Sequence, residues 1–222
     1  MSSQIIRNAI QATIPLANDF LNQHEGNVCE LESRLGKIDV NGNFISGVSK
    51  EFFVHWLNEM KSYEGWHMTN DWEESMDVIW SNDVRGTKKI DQTEFKMTFQ
   101  EKKRLRNLTF KCPEREYDVR VSLKTEKVVT EMPNFHHRLV RFKRRKEFNH
   151  KNIIMYCFTI VSEGKEKQTA IKNNNKRFEI EFELLNTRNC KNFDSNYLSA
   201  SMLEKTVDFL GRSTPFSLNL IH

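Results

Sequence analysis

The chain is short of the residues that interrupt structure. Its 222 residues include eight glycines and four prolines, with no Gly/Ser/Pro-rich linker and no internal repeat of roughly 20 to 50 residues. This excludes a repeat array and predicts one domain over residues 1–222, long enough to bury a sizeable core. Cysteine is scarce too: Cys29, Cys112, Cys157 and Cys190 are dispersed and form no C-x-x-C pair. That argues against a zinc site and a disulfide framework and fits a reducing compartment. Apolar runs extend for only a few residues, against the roughly 20 that cross a bilayer, so no membrane segment is expected. The Met1-Ser2-Ser3-Gln4 start lacks a cationic stretch followed by an apolar block, so no secretory segment is expected either. An excess of one charge is also missing. The 34 Lys+Arg and 30 Asp+Glu leave +4, too mild for composition alone to diagnose nucleic-acid binding.

Core material is plentiful despite a mean hydropathy of -0.65: 38% of residues are hydrophobic and 16 are phenylalanine, which excludes general disorder. Three stretches read as helices. Residues 3–22 carry a broken helical pattern with Pro15 as the expected break. From Ser49, a candidate N-cap, Phe52, Phe53, Trp56, Leu57 and Met60 form a 3.6-period stripe that ends before Gly65. The third spans about 198–210 and stops at Gly211. Elsewhere the pattern alternates with period two, at about 27–35, 75–81, 93–102, 104–111, 116–126, 136–147, 151–162 and 176–185. Short connections between these stretches predict an antiparallel, mainly β protein of the α+β class. Lys172-Asn173-Asn174-Asn175-Lys176 reads as a solvated loop.

Charge is arranged by strand. Glu30 and Glu32 share a face opposite Leu31 and Leu35; Glu179, Glu181 and Glu183 share one opposite Phe178, Ile180, Phe182 and Leu184. Arg141, Lys143 and Arg145 align on another strand, and Arg120, Ser122, Lys124 and Glu126 lie opposite Val119, Val121 and Leu123. Phe95, Met97 and Phe99 stand opposite Lys96, and that strand continues to Lys102. One such strand reads as a sheet face in water. Five together are harder to place there, because side chains two apart are separated by roughly 6–7 Å and the glutamate rows have no relief within their strands. A barrel closed with these faces inward solves the problem, its acidic strands holding a divalent metal and its basic strands facing an oxygen-rich anion. Such a lumen must be hydrated, and the apolar faces then point outward under the helices.

With these residues in view, the chain resembles the triphosphate tunnel metalloenzymes, and within them the metal-dependent RNA 5'-triphosphatases of fungi, protozoa and DNA viruses that act in mRNA capping. Resemblance covers about residues 28–185, flanked by the helices at about 3–22 and 198–210. It rests on Glu30-Leu31-Glu32-Ser33-Arg34-Leu35-Gly36, on the strand from Tyr117 to Glu126, on Arg141-Phe142-Lys143-Arg144-Arg145, and on Phe178-Glu179-Ile180-Glu181-Phe182-Glu183-Leu184. Arg34 followed by Leu35-Gly36 is similar to the capping enzymes; thiamine-triphosphatase and class IV adenylyl cyclase carry E-x-E-x-K. One departure stands out. Where the family has Arg-x-Asp-x-Thr facing inward, this chain has Cys157, Thr159 and Val161, which puts the support of that wall in doubt.

The resemblance implies a closed antiparallel barrel in which Glu30, Glu32 and Glu183 coordinate Mg2+ or Mn2+, while Glu179 and Glu181 orient metal waters and balance basic neighbours. It implies Lys96, Lys143 and Arg145 on the γ-phosphate, Lys102, Arg120 and Arg141 along the substrate, and Glu126 positioning or deprotonating the attacking water. Arg34 is read either as a substrate contact or as a salt bridge that positions Glu30 or Glu32. The expected reaction removes the γ-phosphate from triphosphate-ended nascent mRNA. Two alternatives stay open: an inorganic tripolyphosphatase or nucleoside triphosphatase on the same fold, and a noncatalytic RNA- or polyanion-binding barrel. No K-x-D-G nucleotidyl motif is found, so an mRNA guanylyltransferase is expected in trans. The resemblance also leaves open a homodimer, with the nucleus as location, or a cytoplasmic factory for a viral source.

Several features have simpler readings. His136 and His137 are adjacent on a strand, point to opposite faces, and read as structural or surface residues. Lys143-Arg144-Arg145-Lys146 alternates within a strand and reads as sheet rather than as a nuclear signal; Cys112 beside Pro113 reads as a turn-flanking hydrophobe. Trp56, Trp66, Trp72 and Trp80 are expected in the core or an interface rather than stacked on RNA bases.

Overall fold

Period-two alternation builds a sheet that curls until its first and last strands meet. The computed structural model describes residues 2–22, 28–90, 97–112, 115–130, 134, 136–185 and 190–211. In chain order the elements are α1 (Ser2–Leu21), β1 (Val28–Ile38), β2 (Phe44–Ser46), α2 (Lys50–Ser62), β3 (Met68–Thr69), β4 (Glu73–Trp80), β5 (Val84–Lys89), β6 (Thr98–Phe110), β7 (Asp118–Val129), β8 (His137–His150), β9 (Ile154–Gly164), α3 (Lys167–Lys172), β10 (Arg177–Leu184) and α4 (Ser195–Leu210). Pairing runs β10-β9-β8-β4-β5-β6-β7-β1 and closes by pairing β1 with β10, which makes an eight-stranded antiparallel barrel. Short β2 extends the sheet from β1, and β3 pairs with β8. Closure leaves the barrel strands no unpaired edge.

The apolar half of each alternation points outward. Ile180 and Phe182 of β10 and Phe158 of β9 are fully buried beneath helices. Phe53 of α2 packs at 5.4 Å from Phe158 and 5.2 Å from Phe178, while Phe209 of α4 lies 4.9 Å from Phe182 and stacks on Trp56 at 4.1 Å. Each buried aromatic of this kind contributes roughly 1.5–3 kcal/mol, so the core that holds the barrel lies outside its sheet. Of the four tryptophans, Trp56, Trp66 and Trp72 pack against this core and Trp80 is buried beside Phe99.

Helix ends follow local chemistry. Ser49 Oγ accepts the Phe52 amide (3.2 Å) and starts α2; Asp194 Oδ1 accepts the Tyr197 amide (2.7 Å) and starts α4. Gly211 ends α4 at φ 78, where a side chain would be strained.

Three expectations need correction. Helix α1 runs through Pro15 without breaking. Pro15 is exposed, so the carbonyl it frees reaches solvent, while Ala9, Ile10, Leu16, Ala17 and Phe20 on both sides of it are buried in one core. The stretches 93–102 and 104–111 form one strand, β6, from Thr98; residues 93–96 lie outside the described residues. Its alternation shifts at a bulge, where Arg104 pairs with Lys124 and Arg106 with Leu123, leaving Leu105 extra. Finally, the short strands β2 and β3, and β5 and α3, escape the sequence reading. In β5, Gly86 replaces an apolar signal, because a Cβ there would meet the Trp80 ring at 2.9 Å.

Candidate active site

The charged half of the alternation lines the lumen, a cavity of about 640 Å3. Glu30, Glu126, Glu179, Glu181, Glu183, Lys102, Arg141, Lys143 and Arg145 all reach its wall, as do Arg34, Thr159 and Val161. Strand β1 brings Glu30 and Glu32 beside β10, where Glu32 pairs with Glu183 and Arg34 with Glu181. Carboxylate oxygens of Glu30, Glu32 and Glu183 all lie within 4.8 Å of one another.

These three carboxylates are not equivalent. Glu32 is fully buried, which by itself would raise its pKa, yet Arg34 and Lys124 beside it hold the carboxyl down at about 2. Arg34 Nε lies 2.6 Å from Glu32 Oε1, to which Lys124 Nζ also donates, and Arg34 Nη2 donates to Oε2 (3.0 Å). Glu183 goes the other way. Burial pushes it up to about 7; Arg145 opposes the rise, and Glu30, Glu181 and Glu32 add to it. A set of crowded hard oxygens, one of which resists ionising among its neighbours, fits a divalent cation.

Basic groups surround this cluster in fixed pairs. Lys102 bridges Glu30 (2.5 Å) and Glu126 (2.7 Å), and Arg85 donates to Glu126 (3.2 Å). Lys143 pairs with buried Asp77 (2.7 Å), which also accepts from the Thr87 hydroxyl (2.8 Å). Arg141 meets Glu163 (2.6 Å), Arg177 meets Glu163 (3.1 Å) and Glu179 (2.7 Å), and Arg34 meets Glu181 (3.0 Å). Partial burial would raise the pKa of Glu126, but Lys102 and Arg85 outweigh it and hold the group below the usual carboxylate range. Glu126 is therefore an ionised acceptor, suited to orienting a water more than to storing a proton near neutrality.

The unusual wall is supported after all. Arg145 Nη2 donates both to Cys157 Sγ (2.8 Å) and to Glu183 (2.8 Å), while its Nε lies 2.6 Å from Glu147. Burial pushes the Cys157 thiol up, so it stays neutral and serves as an acceptor. Arg34 takes the salt-bridge position between β1 and β10.

Of the expected residues, Glu32 is fully buried and does not itself line the cavity, and Arg120 lies off its wall. Lys96 lies outside the described residues. Arg120 donates to Thr109 (3.1 Å) and stacks over the Phe44 ring (4.5 Å to its centroid), off the cavity wall. Sequence reasoning missed Asp77, Arg85, Arg104, Lys124 and Arg177. Lys124 was readable, since it shares a face with Arg120 and Glu126; Arg85 was not, because its strand carries almost no periodic signal.

The family described as mRNA capping enzyme, beta chain, matches residues 61–210. No curated protein sequence matches the chain. Among solved structures, the S. pombe Pct1 RNA triphosphatase is similar with a TM-score of 0.69 at 19% identity, covering 92% of this chain and 93% of that one. Pct1 in complex with the Spt5 CTD matches at 0.64 and 17% identity, covering 90% of each chain. The mimivirus capping enzyme triphosphatase matches at 0.61 and 12% identity, covering 91% of this chain and 97% of its own. At these identities the likeness concerns the fold, the same closed barrel.

Proposed function

The chain belongs to the mRNA capping enzyme beta-chain family and is an RNA triphosphatase, and we propose that it releases the γ-phosphate of triphosphate-ended nascent mRNA inside the lumen, using Glu30, Glu32 and Glu183 to hold a divalent cation. The observation that carries this reading is the convergence of those three carboxylates within 4.8 Å in a lumen that also presents Lys143 and Arg145.

Mg2+ or Mn2+ held by Glu30, Glu32 and Glu183 would supply positive charge against the phosphate and would lower the pKa of a water. Lys143 and Arg145, with Lys96, bind the γ-phosphate, and Lys102 and Arg141 follow the phosphates behind it. Glu126 accepts a hydrogen bond from the attacking water and turns it in line with the leaving diphosphate. Glu179 and Glu181 hold Arg177 and Arg34 in place and accept from waters around the cation. Because their pairs are already formed, these groups need little reorganisation as charge shifts, and each contact of this kind is worth about 2.7–4 kcal/mol in the transition state. The product is a 5'-diphosphate RNA end and inorganic phosphate.

The beta-chain description supports a guanylyltransferase on a separate chain as partner, and a capping role supports the nucleus as location. No helix among the described residues is long and apolar enough to cross a membrane. The decisive assay is phosphate release from triphosphate-ended RNA with and without Mg2+ or Mn2+. Metal-dependent release, with single-turnover rate reduced on the order of 100-fold in Glu126→Gln while metal binding is kept, is expected. Release from inorganic tripolyphosphate alone indicates the alternative substrate. Full chemistry in a destabilised Glu126→Gln assigns that residue to the ion pairs only.

A further inference from the structure

The two ends of the lumen differ in charge. Glu30, Glu126, Glu147 and Glu183 lie toward one end, neutralised there by Arg145 and by Lys102, which reaches in from the other side; Glu73 and Lys89 also pair there at 2.7 Å. At the other end, a second cavity of about 400 Å3 opens from the lumen, sharing Arg34, Arg85, Lys102, Arg104 and Arg141 with it. Among the described residues, five arginines and two lysines line this mouth, with Asp83 as the single carboxylate.

Most of these cations are committed inward, to Glu32, Glu181, Glu126, Glu30 and Glu163. Arg104 and Arg138 are not. Exposed Arg104 has no ion pair among the described residues, and the bulge at Leu105 lets it face the mouth while Arg106 turns to Asp19 on the outside (3.2 Å). Among the described residues Arg138, at the start of β8, pairs with Asp83 alone (3.1 Å), with both side chains more than half exposed, so that pair is weak and exchangeable. The lumen balances carboxylates against cations; the mouth does not.

A one-sided cationic surface continuous with a triphosphate site suits further phosphates at regular spacing. We propose that the RNA enters by this arginine-lined mouth and that Arg104 and Arg138 contact the phosphodiesters of its first nucleotides, outside the reach of the triphosphate itself. The proposal rests on the triphosphatase reading and adds the direction of the substrate and the residues that recognise its chain. Aromatic stacking on the bases is not required, since backbone contacts position without reading sequence.

The test compares Arg138→Ala and Arg104→Ala with Lys89→Ala, which removes one charge at the opposite end. For triphosphate-ended RNA, Arg138→Ala lowers kcat/KM about fivefold at low salt and makes the log-log salt dependence shallower by about 0.7. Thermal-shift binding of inorganic tripolyphosphate with Mg2+ stays as in the wild type. Arg104→Ala, which also touches the lumen, costs about tenfold on RNA and less on tripolyphosphate, while Lys89→Ala stays within about twofold on RNA. Wild-type behaviour of both mouth variants on RNA, or an equal loss in Lys89→Ala, overturns the mouth and leaves the triphosphatase standing. A wild-type chain that hydrolyses tripolyphosphate but not RNA overturns the triphosphatase reading and the mouth with it.

Discussion

The lumen face of β10 and its outer face are built from alternate residues of one eight-residue strand, and they are stabilised in opposite ways. Outside, Ile180 and Phe182 sit in an aromatic shell with Phe158 and Phe209, where each group contributes through area and packing. Inside, Glu179, Glu181 and Glu183 are held by named partners, Arg177, Arg34 and Arg145. Ion pairs as buried as these add little net stability, yet removing one partner is costly. The shell therefore carries the stability of the barrel and the lining carries its chemistry. The lining can be altered with little loss of fold only where the altered group was not neutralising a buried neighbour.

The largest expected effect falls on chemistry. Glu183→Gln lowers metal-dependent phosphate release on the order of 1,000-fold, yet the metal-free melting temperature falls little, because Arg145 keeps its pair with Glu147 and an amide oxygen to donate to, and one like charge leaves the crowded cluster. Glu32→Gln separates the two roles: it also abolishes release, but it leaves Arg34 and Lys124 without their shared carboxylate and lowers stability as well. Equal melting temperatures for these two variants would erase the distinction between the ligands. Next comes the shell. Phe182→Ala costs about 3–5 kcal/mol in urea unfolding, with activity per folded molecule unchanged; a large loss of kcat in the folded fraction would mean that shell and lining are not separable.

Asp77→Asn tests the lining at a position outside the carboxylate cluster. Losing the charge opposite Lys143 costs about 1.5–3 kcal/mol at neutral pH. Burial would raise the Asp77 pKa, but Lys143 and Arg85 bring it below the ordinary aspartate value of 3.8. Its contribution is thus complete above that value and fades as pH falls through it toward the folded pKa. Unfolding measured from pH 6 down to pH 3 should show wild type and variant converging, and a constant gap would reject the assignment. The smallest effect is expected at Arg106, whose pair with Asp19 is exposed: Arg106→Ala should shift stability by less than about 1 kcal/mol.

Legibility in the sequence followed the same division between faces. Rows such as Glu179-x-Glu181-x-Glu183 were readable because alternation with Phe and Ile states both the strand and its two sides. Barrel, outer helices and cluster of glutamates follow from such rows. Ion-pair partners do not, since the meeting of Lys143 with Asp77, or of Lys102 with Glu126, depends on register between strands. Arg85 was hidden for a second reason: its strand has glycine where an apolar residue would have marked it. Thus the metal-ligand candidates were visible one strand at a time, while the electrostatics that distinguish Glu32 from Glu183 arise only once β1 lies beside β10.

Pairing of β1 with β10 also has a consequence in time. Leu31 meets Leu184 across the closing seam, a contact between distant parts of the chain, and loop closure of that span is among the slower events open to a folding domain. The glutamate cluster straddles that seam, with two members from β1 and one from β10. During synthesis, Glu30 and Glu32 emerge early and wait until nearly the last strand for Glu183. Partly made chains hold most of the lining but no three-carboxylate site, so the ability to grip a cation arrives together with completion of the barrel.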